Sequence, residues 1–382
     1  MLLDTFEGSV SNSGLLPLKL VLDDGKSFDG FSFGSFPNSP VVGEVVFNTG
    51  MVGYTEAMTD PSYTGQILCF TYPLIGNYGV PDYAIDDDGI LVNFESGKIR
   101  TKGIIVNQAA RNPSHYEMKR TLAEWMSNEG VSGIEGIDTR ELTLHLRERG
   151  VMMGAISPTF DEGAQALRNA PDYSRTDFCK AVSTETFLRY GKNVNGRIAV
   201  IDCGLKLNII RSLVRRGFEV TVLPYETAFD ETSSKFDGIV ISNGPGDPKN
   251  CTPAIEFART SIETGIPVLG ICLGTQIIAL SLGADTYKLK YGHRGQNKPC
   301  IDLRTGRSLV TSQNHGYTVE EKSLDGAKLD PWFVNADDRT IEGIIHREKP
   351  CISVQFHPEA SPGPVDAGYV FDVFQDKILK AS

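Results

Sequence analysis

The stretch Pro267-Val268-Leu269-Gly270-Ile271-Cys272-Leu273-Gly274-Thr275-Gln276 reads as a buried strand, a sharp turn and the start of a helix. Its first apolar residues suit a strand covered on both faces, and Thr275 to Leu282, stopped by Gly283, suit a short helix. Cys272 falls between the two. Glycines at 270 and 274 fit a turn too tight for side chains on its flanks, and such a turn lifts the intervening side chain clear of the backbone beside a helix N-terminus. Taken alone, the segment leaves two readings of Cys272 open: a small buried hydrophobe, the usual fate of an unpaired cysteine, or a nucleophile.

The neighbouring sequence repeats the strand-then-helix pattern. Arg197 to Asp202 is a short apolar strand, and Leu207 to Arg216 a helix with Ile210, Leu213 and Val214 on one side and Gly217 at its end. Phe218 to Leu223 and Phe236 to Ser242 are further strands, and Thr252 with Pro253 opens a helix that closes at Gly265. Alternation at this spacing predicts parallel strands joined by right-handed crossovers, with an active site at the carboxyl ends of the strands. Cys272 sits at one such end. So does Ser242-Asn243-Gly244-Pro245-Gly246-Asp247-Pro248, whose Gly-Pro-Gly core is a rigid loop able to bring backbone N–H groups close to a ligand.

From Leu18 to Met153 the texture differs: Gly, Tyr and Thr are frequent, strand-like runs are short, and two amphipathic helices interrupt them. One is predicted over Met118 to Ser127. The other begins at Asp138, a first-turn cap, with Leu142 and Leu146 on one face. The organisation predicted is an extension over 1–17, a mixed α/β N-terminal domain over 18–156, a polar connection over 157–195, and a C-terminal α/β domain over 196–382 with an open, mostly parallel sheet and flanking helices. A chain of 382 residues is long enough for two such cores.

Hydrophobic content of 40% with 22% charged residues describes a globular protein, and a net charge of -11 offers no basic footprint for nucleic acid or an anionic membrane surface. Neither a leader-like N-terminus nor a run of membrane-spanning length stands out, so a cytoplasmic enzyme is expected. Seven cysteines, an odd number with no pair at metal-ligand spacing, predict neither disulfides nor a metal site.

A nucleophilic cysteine needs a base held in place, and the chain has six histidines. His357 ranks first. It ends the strand-like run Cys351-Ile352-Ser353-Val354-Gln355-Phe356, and Glu359 lies on the same side if the chain stays extended through Pro358. A carboxylate beside the ring would fix its tautomer and stabilise the imidazolium. The other reading of this segment is a surface His-Pro-Glu turn. His315, in Ser312-Gln313-Asn314-His315-Gly316-Tyr317, is the rival base, but no acid lies within two residues of it. His293 falls in a polar loop, and His115, His145 and His346 read as surface or helix residues. Cys203, with Gly204 after it at a strand end, is the second candidate thiol.

Three motifs in order, Ser242 to Pro248, Gly270-Ile271-Cys272-Leu273-Gly274 and Phe356-His357-Pro358-Glu359, resemble those of class I (triad) glutamine amidotransferases. In the N-terminal half, Gly43 to Tyr54, Thr59-Asp60-Pro61-Ser62-Tyr63, Thr71 to Asn77 and Ile137-Asp138-Thr139-Arg140 are similar to the small subunit of carbamoyl phosphate synthetase. The likeness covers nearly the whole chain after about the first 17 residues. It implies that Cys272 attacks the side-chain amide of L-glutamine, that His357 handles the proton and Glu359 orients His357, and that backbone N–H groups of Leu273 and Gly244 hold the oxyanion. By position in the motifs it implies glutamine contacts from Ser62, Gly244, Gly246, Leu273, Gln276, Asn314, Gly316 and Tyr317. The family more often has phenylalanine where Tyr317 stands.

The resemblance also implies a partner, the large synthetase subunit, which uses ATP and magnesium to make carbamoyl phosphate from bicarbonate and the released ammonia, for arginine and pyrimidine synthesis. No cofactor or metal is expected on this chain, which lacks a Walker-type loop. Two other readings compete: a cysteine hydrolase acting on a different amide, which would have no need of the N-terminal domain, and an inactive interaction module, which the intact triad positions disfavour.

Overall fold

The strand expected before Cys272 forms at Val268–Ile271, near the centre of a ten-stranded sheet. A computed structural model describes residues 15–230 and 235–381, so most of the extension placed at 1–17 lies outside the described residues. Five strands run parallel in the order Glu219–Pro224, Arg197–Asp202, Gly238–Ile241, Val268–Ile271, Cys351–Val354. Successive side chains alternate between two apolar layers. Ala199, Ile201, Ile239, Ile241 and Val268 pack with the helices Thr252–Thr264 and Leu273–Ser281, while Ile198, Val200, Val240, Leu269 and Ile271 pack with the helices Leu207–Val214 and Tyr369–Ala381. Burial on both faces is why these strands read as unbroken apolar runs.

The α/β class with a parallel centre and flanking helices therefore stands, and the sheet carries an antiparallel extension that the sequence did not announce. Ile341–His346, Leu329–Asn335, Thr286–Asp302 and Ser308–Val319 continue it beyond Cys351–Val354. Register shifts between Lys288 and His293 and between Gly295 and Lys298 break the two-residue apolar period there, so the long strands have no clean signature.

The N-terminal half closes into a seven-stranded barrel, in the order Pro17–Leu22, Ser27–Gly34, Ser132–Glu135, Gly103–Ile105, Gln66–Phe70, Val41–Asn48, Met152–Ser157. Closure removes the sheet edges. The helix Thr139–Arg149 starts where expected, because the Asp138 side chain accepts from the Glu141 N–H at 2.8 Å, and it buries Leu142 and Leu146. The helix expected from Met118 starts later, at Leu122, where Thr121 and Glu124 form a reciprocal capping box. Residues 157–195 carry the helices Phe160–Arg168 and Phe178–Val182 and the strand Leu188–Tyr190, which adds to the C-terminal sheet beside Glu219–Pro224. Each is under ten residues, too short to show a period. Among the described residues no helix is long and apolar enough to cross a membrane.

Candidate active site

Cys272 occupies the turn between Val268–Ile271 and Leu273–Ser281 with φ 54° and ψ −104°, a conformation that L-residues avoid. Its surroundings over-determine it. The Cys272 N–H donates to Val354 O of the adjacent strand at 2.8 Å, and its own C=O accepts from Thr275 N at 3.0 Å. Close backbone approach explains both glycines: a Cβ on Gly270 would lie 2.7 Å from Gly274 O, and one on Gly274 only 2.1 Å from Ile241 O. The thiol is 2% exposed, with Sγ 3.6 Å from Asn314 O.

His357 and Glu359 follow the neighbouring strand, Cys351–Val354. His357 N–H donates to Ser312 O at 2.9 Å, and the two side chains meet at 2.6 Å, Nδ1 to Oε1. The route corrects the reading from sequence, which had the chain extended through Pro358. It turns instead: Ala360 N–H bonds back to His357 O at 3.1 Å, and Ala360 and Ser361 both have positive φ. Behind Glu359 stands Lys206, with Nζ 3.0 Å from Oε1, and Asn208 donates through Nδ2 to the Glu359 carbonyl.

All these groups are buried, so their charges matter. Burial alone would raise the Glu359 carboxyl, but Lys206 and His357 outweigh it and lower it to about 2. For His357 burial would lower the imidazole, and the charges on Glu359 and Cys272 raise it to about 10 despite an opposing Lys206. At neutral pH His357 is therefore imidazolium. With Nδ1 taken by Glu359, Nε2 is the nitrogen left to interact with the Cys272 side chain, so a proton is available on that side.

Next to Cys272 is a cavity, and the eight residues to which glutamine contacts were assigned all line it: Ser62, Gly244, Gly246, Leu273, Gln276, Asn314, Gly316 and Tyr317. Leu273 opens its helix, where a first-turn N–H has no carbonyl one turn back to bond. Gly244 lies against it; a Cβ there would be 2.8 Å from Leu273 Cδ2. Gln276 is engaged by the protein, donating to Tyr317 O at 2.9 Å and Gln355 Oε1 at 3.1 Å. The domains meet at this point, since Asn314 Nδ2 donates to Asp60 Oδ2 and Asn243 Nδ2 to Ser62 Oγ, each at 2.9 Å.

Reading the sequence missed several residues that the fold places here. Glu44, Gln66, Tyr173, Lys288 and Arg294 line the cavity from distant positions and carry no local signal. Asp60 had one: an acid two residues before Ser62, whose N–H it accepts at 2.9 Å, is an Asx turn legible in Asp60-Pro61-Ser62.

The rival candidates are engaged elsewhere. His315 lines the cavity, but Nδ1 faces Tyr317 O at 2.8 Å and Nε2 lies 3.6 Å from Glu342. Burial, only partly opposed by Glu342, lowers its pKa and keeps the ring neutral. With His293 and Glu342 it forms a buried group whose ligand-type atoms lie within 4.8 Å of one another. Their charges are balanced by a proton: burial works against it, but Asp338 at 2.8 Å and Glu342 at 3.1 Å raise His293 to about 9, making it imidazolium between two carboxylates. Cys203 is fully buried. A hydrogen bond with Cys179 lowers its thiol, yet burial and neighbouring Cys251 and Asp202 leave it raised.

A strained cysteine at a strand–helix turn, a buried His–Glu pair and a Gly-Pro-Gly loop on a doubly covered parallel sheet define a class I glutamine amidotransferase. Residues 199–377 match the family model described as glutamine amidotransferase class-I, and residues 20–156 match that described as carbamoyl-phosphate synthase small chain, CPSase domain. The chain is 44% identical over 378 residues to the carbamoyl phosphate synthase arginine-specific small chain of Chaetomium globosum, covering 98% of this chain and 81% of that one. To the arginine-specific small chain of Saccharomyces cerevisiae it is 46% identical over 367 residues, covering 94% and 88%. It is also 48% identical over 359 residues to the multifunctional protein CAD of Squalus acanthias, covering 93% of this chain and 16% of that protein. The chain belongs to the carbamoyl phosphate synthase small-chain family, the glutaminase subunits of that enzyme.

Proposed function

We propose that L-glutamine is hydrolysed in the cavity beside Cys272 and that its ammonia passes to a large synthetase subunit. The observation that carries this reading is the strained Cys272 on the wall of that cavity, with the buried His357–Glu359 pair acting on it from behind. The Cys272 sulfur attacks the carboxamide carbon of glutamine, and the oxygen, now negative, takes N–H bonds from Leu273 and Gly244. His357 then gives its Nε2 proton to the amide nitrogen, the C–N bond breaks, and ammonia leaves a glutamyl thioester. Water attacks the thioester, its proton passing to His357; glutamate leaves and the thiolate returns. Glu359 keeps Nδ1 of His357 occupied so that the proton moves only at Nε2. Among the cavity's charges, Glu44 is tied to Lys288 at 2.6 Å and Gln66 at 3.0 Å, while Arg294 Nε has no partner among the described residues and suits the α-carboxylate of an amino acid.

This half-reaction consumes only glutamine and water, so the chemistry asks for no cofactor on this chain. ATP and magnesium belong to the large subunit, where bicarbonate is activated and carbamoyl phosphate made for arginine and pyrimidine synthesis. All seven cysteines are free thiols, which suits a reducing compartment and supports a cytoplasmic complex. The test is Cys272→Ser in the full chain mixed with its large subunit. Glutamine-dependent carbamoyl phosphate formation disappears while ammonia-dependent formation persists; glutamine use at the wild-type rate refutes the assignment.

A further inference from the structure

The helix Leu207–Val214 supplies both groups that hold Glu359 from behind, Lys206 at its N-cap and Asn208 in its first turn, yet the Lys206 side chain makes no capping bond. The cap comes from the other domain. The Glu95 carbonyl accepts from Leu207 N–H at 3.0 Å, and its carboxylate Oε2 accepts from Asn208 N–H, also at 3.0 Å. The second oxygen, Oε1, pairs with Arg211 Nη2 at 2.5 Å and accepts from Ser361 Oγ at 2.7 Å. Glu95 is 0% exposed, and its own N–H is held by Thr59 Oγ1 at 2.9 Å, one residue before Asp60. One buried carboxylate thus fixes the start of the helix that grips Glu359 and the residue that leaves the His357–Glu359 turn. An acid at this place completes orphan N–H groups and faces the positive end of the helix dipole.

We propose that Glu95 is a positioning residue for the triad, capping the helix Leu207–Val214 across the domain boundary and so setting the placement of Glu359 and His357. The inference rests on the triad reading above. Glu95 does not line the glutamine cavity, so its loss acts on turnover and not on binding.

The test uses the full chain with its large subunit and compares Glu95→Gln, Glu95→Ala, Ser361→Ala and Asn208→Ala with wild type. For both Glu95 variants, kcat with glutamine falls about 10- to 100-fold, the cost of a misplacement near 1 Å, with KM for glutamine within about twofold and ammonia-dependent synthesis unchanged. Ser361→Ala and Asn208→Ala, each cutting one arm, give smaller losses in kcat. Glu95→Ala combined with Asn208→Ala is no slower than Glu95→Ala alone, because both act through Glu359. A merely structural Glu95 lowers the melting temperature and leaves the kcat of the folded enzyme intact, which overturns the proposal. Should both Glu95 variants fail to fold, the half-buried Ser361 and Asn208 decide: wild-type kcat in both overturns it, a loss in kcat at unchanged KM supports it. The triad reading fails separately, on a Cys272→Ser chain that still uses glutamine.

Discussion

Adding one methyl group at Gly244 tests the oxyanion assignment. Gly244 does not use the left-handed region, so alanine meets no backbone penalty there. The obstacle is steric. A Cβ would stand 2.1 Å from Cys203 O and 2.8 Å from Leu273 Cδ2, where approaches under 3.0 Å force something to move. Leu273 has a side chain that can swing. Cys203 cannot retreat as easily, because its N–H is bonded to Ser242 Oγ at 3.0 Å and the strand before it, Arg197–Asp202, is paired on both sides. The Gly-Pro-Gly loop must therefore give way by about 1 Å, which carries its N–H out of hydrogen-bonding range of a developing oxyanion.

Losing one such donor costs about 100- to 1,000-fold in kcat, or roughly 3 to 4 kcal/mol of transition-state stabilisation. Overpacking adds about 1–3 kcal/mol of lost stability. The assay runs glutamine-dependent and ammonia-dependent carbamoyl phosphate formation in parallel, with a melting curve for each chain. Gly244→Ala is expected to lose about 100-fold or more with glutamine and nothing with ammonia. Gly283→Ala is the control: its φ is +90° with no atom within 4 Å of an added Cβ, so it costs about 1 kcal/mol in strain and leaves both activities alone. A folded Gly244→Ala chain whose kcat with glutamine stays within about threefold of wild type refutes the reasoning.

Glu359→Gln removes the charge that holds His357 as imidazolium, and glutamine-dependent turnover falls about 100-fold or more. Its stability signature has a definite sign. The Glu359 carboxyl is lowered from 4.5 to about 2, so its contribution is complete above pH 4.5 and lost as pH falls toward 2; His357 is raised from 6.5 to about 10, so its contribution is complete below pH 6.5 and lost as pH rises through 10. The gap in melting temperature between wild type and Glu359→Gln is thus widest from about pH 4.5 to 6.5 and narrows on both sides; a gap still growing at pH 10 contradicts the pair. Asp60→Ala releases Asn314 and the Ser62 N–H together, and KM for glutamine rises about tenfold with a smaller change in kcat. Initial rates over a glutamine series check this, and an unchanged KM removes Asp60 from the account.

What could be read in advance was local. Parallel strands buried on two faces announce themselves as apolar runs, and the elbow at Cys272 shows in its two glycines, whose close approaches are to backbone a few residues or one strand away. The antiparallel half of the sheet was illegible because bulges interrupt its period, and barrel closure because it is a property of seven short segments together. Glu359 illustrates the intermediate case. Its partnership with His357 followed from spacing, but the turn that makes it, through Ala360 and Ser361 at positive φ, ran against the preference of their residue types and depends on contacts from elsewhere.

Those contacts bear on why a hydrolytic domain should be joined to a barrel. The proposed nucleophile, base and orienter all lie in turns at strand ends of the C-terminal sheet, yet Ser62, Glu44 and Gln66 close the cavity from the barrel side, Asp60 holds Asn314, and Glu95 caps the helix that grips Glu359. Without the barrel, Asn314 loses its acceptor, Arg211 loses its ion pair with Glu95, Lys206 loses the nearby charges of Glu95 and Asp60, and one wall of the cavity opens to water. The three links share a single rigid attachment, since Thr59, Asp60 and Ser62 are consecutive or nearly so and Thr59 holds Glu95. A displacement of that segment would disturb the proposed substrate contact, cavity wall and triad support together, so the proposed hydrolysis depends on how the two domains sit on each other as well as on the residues that react.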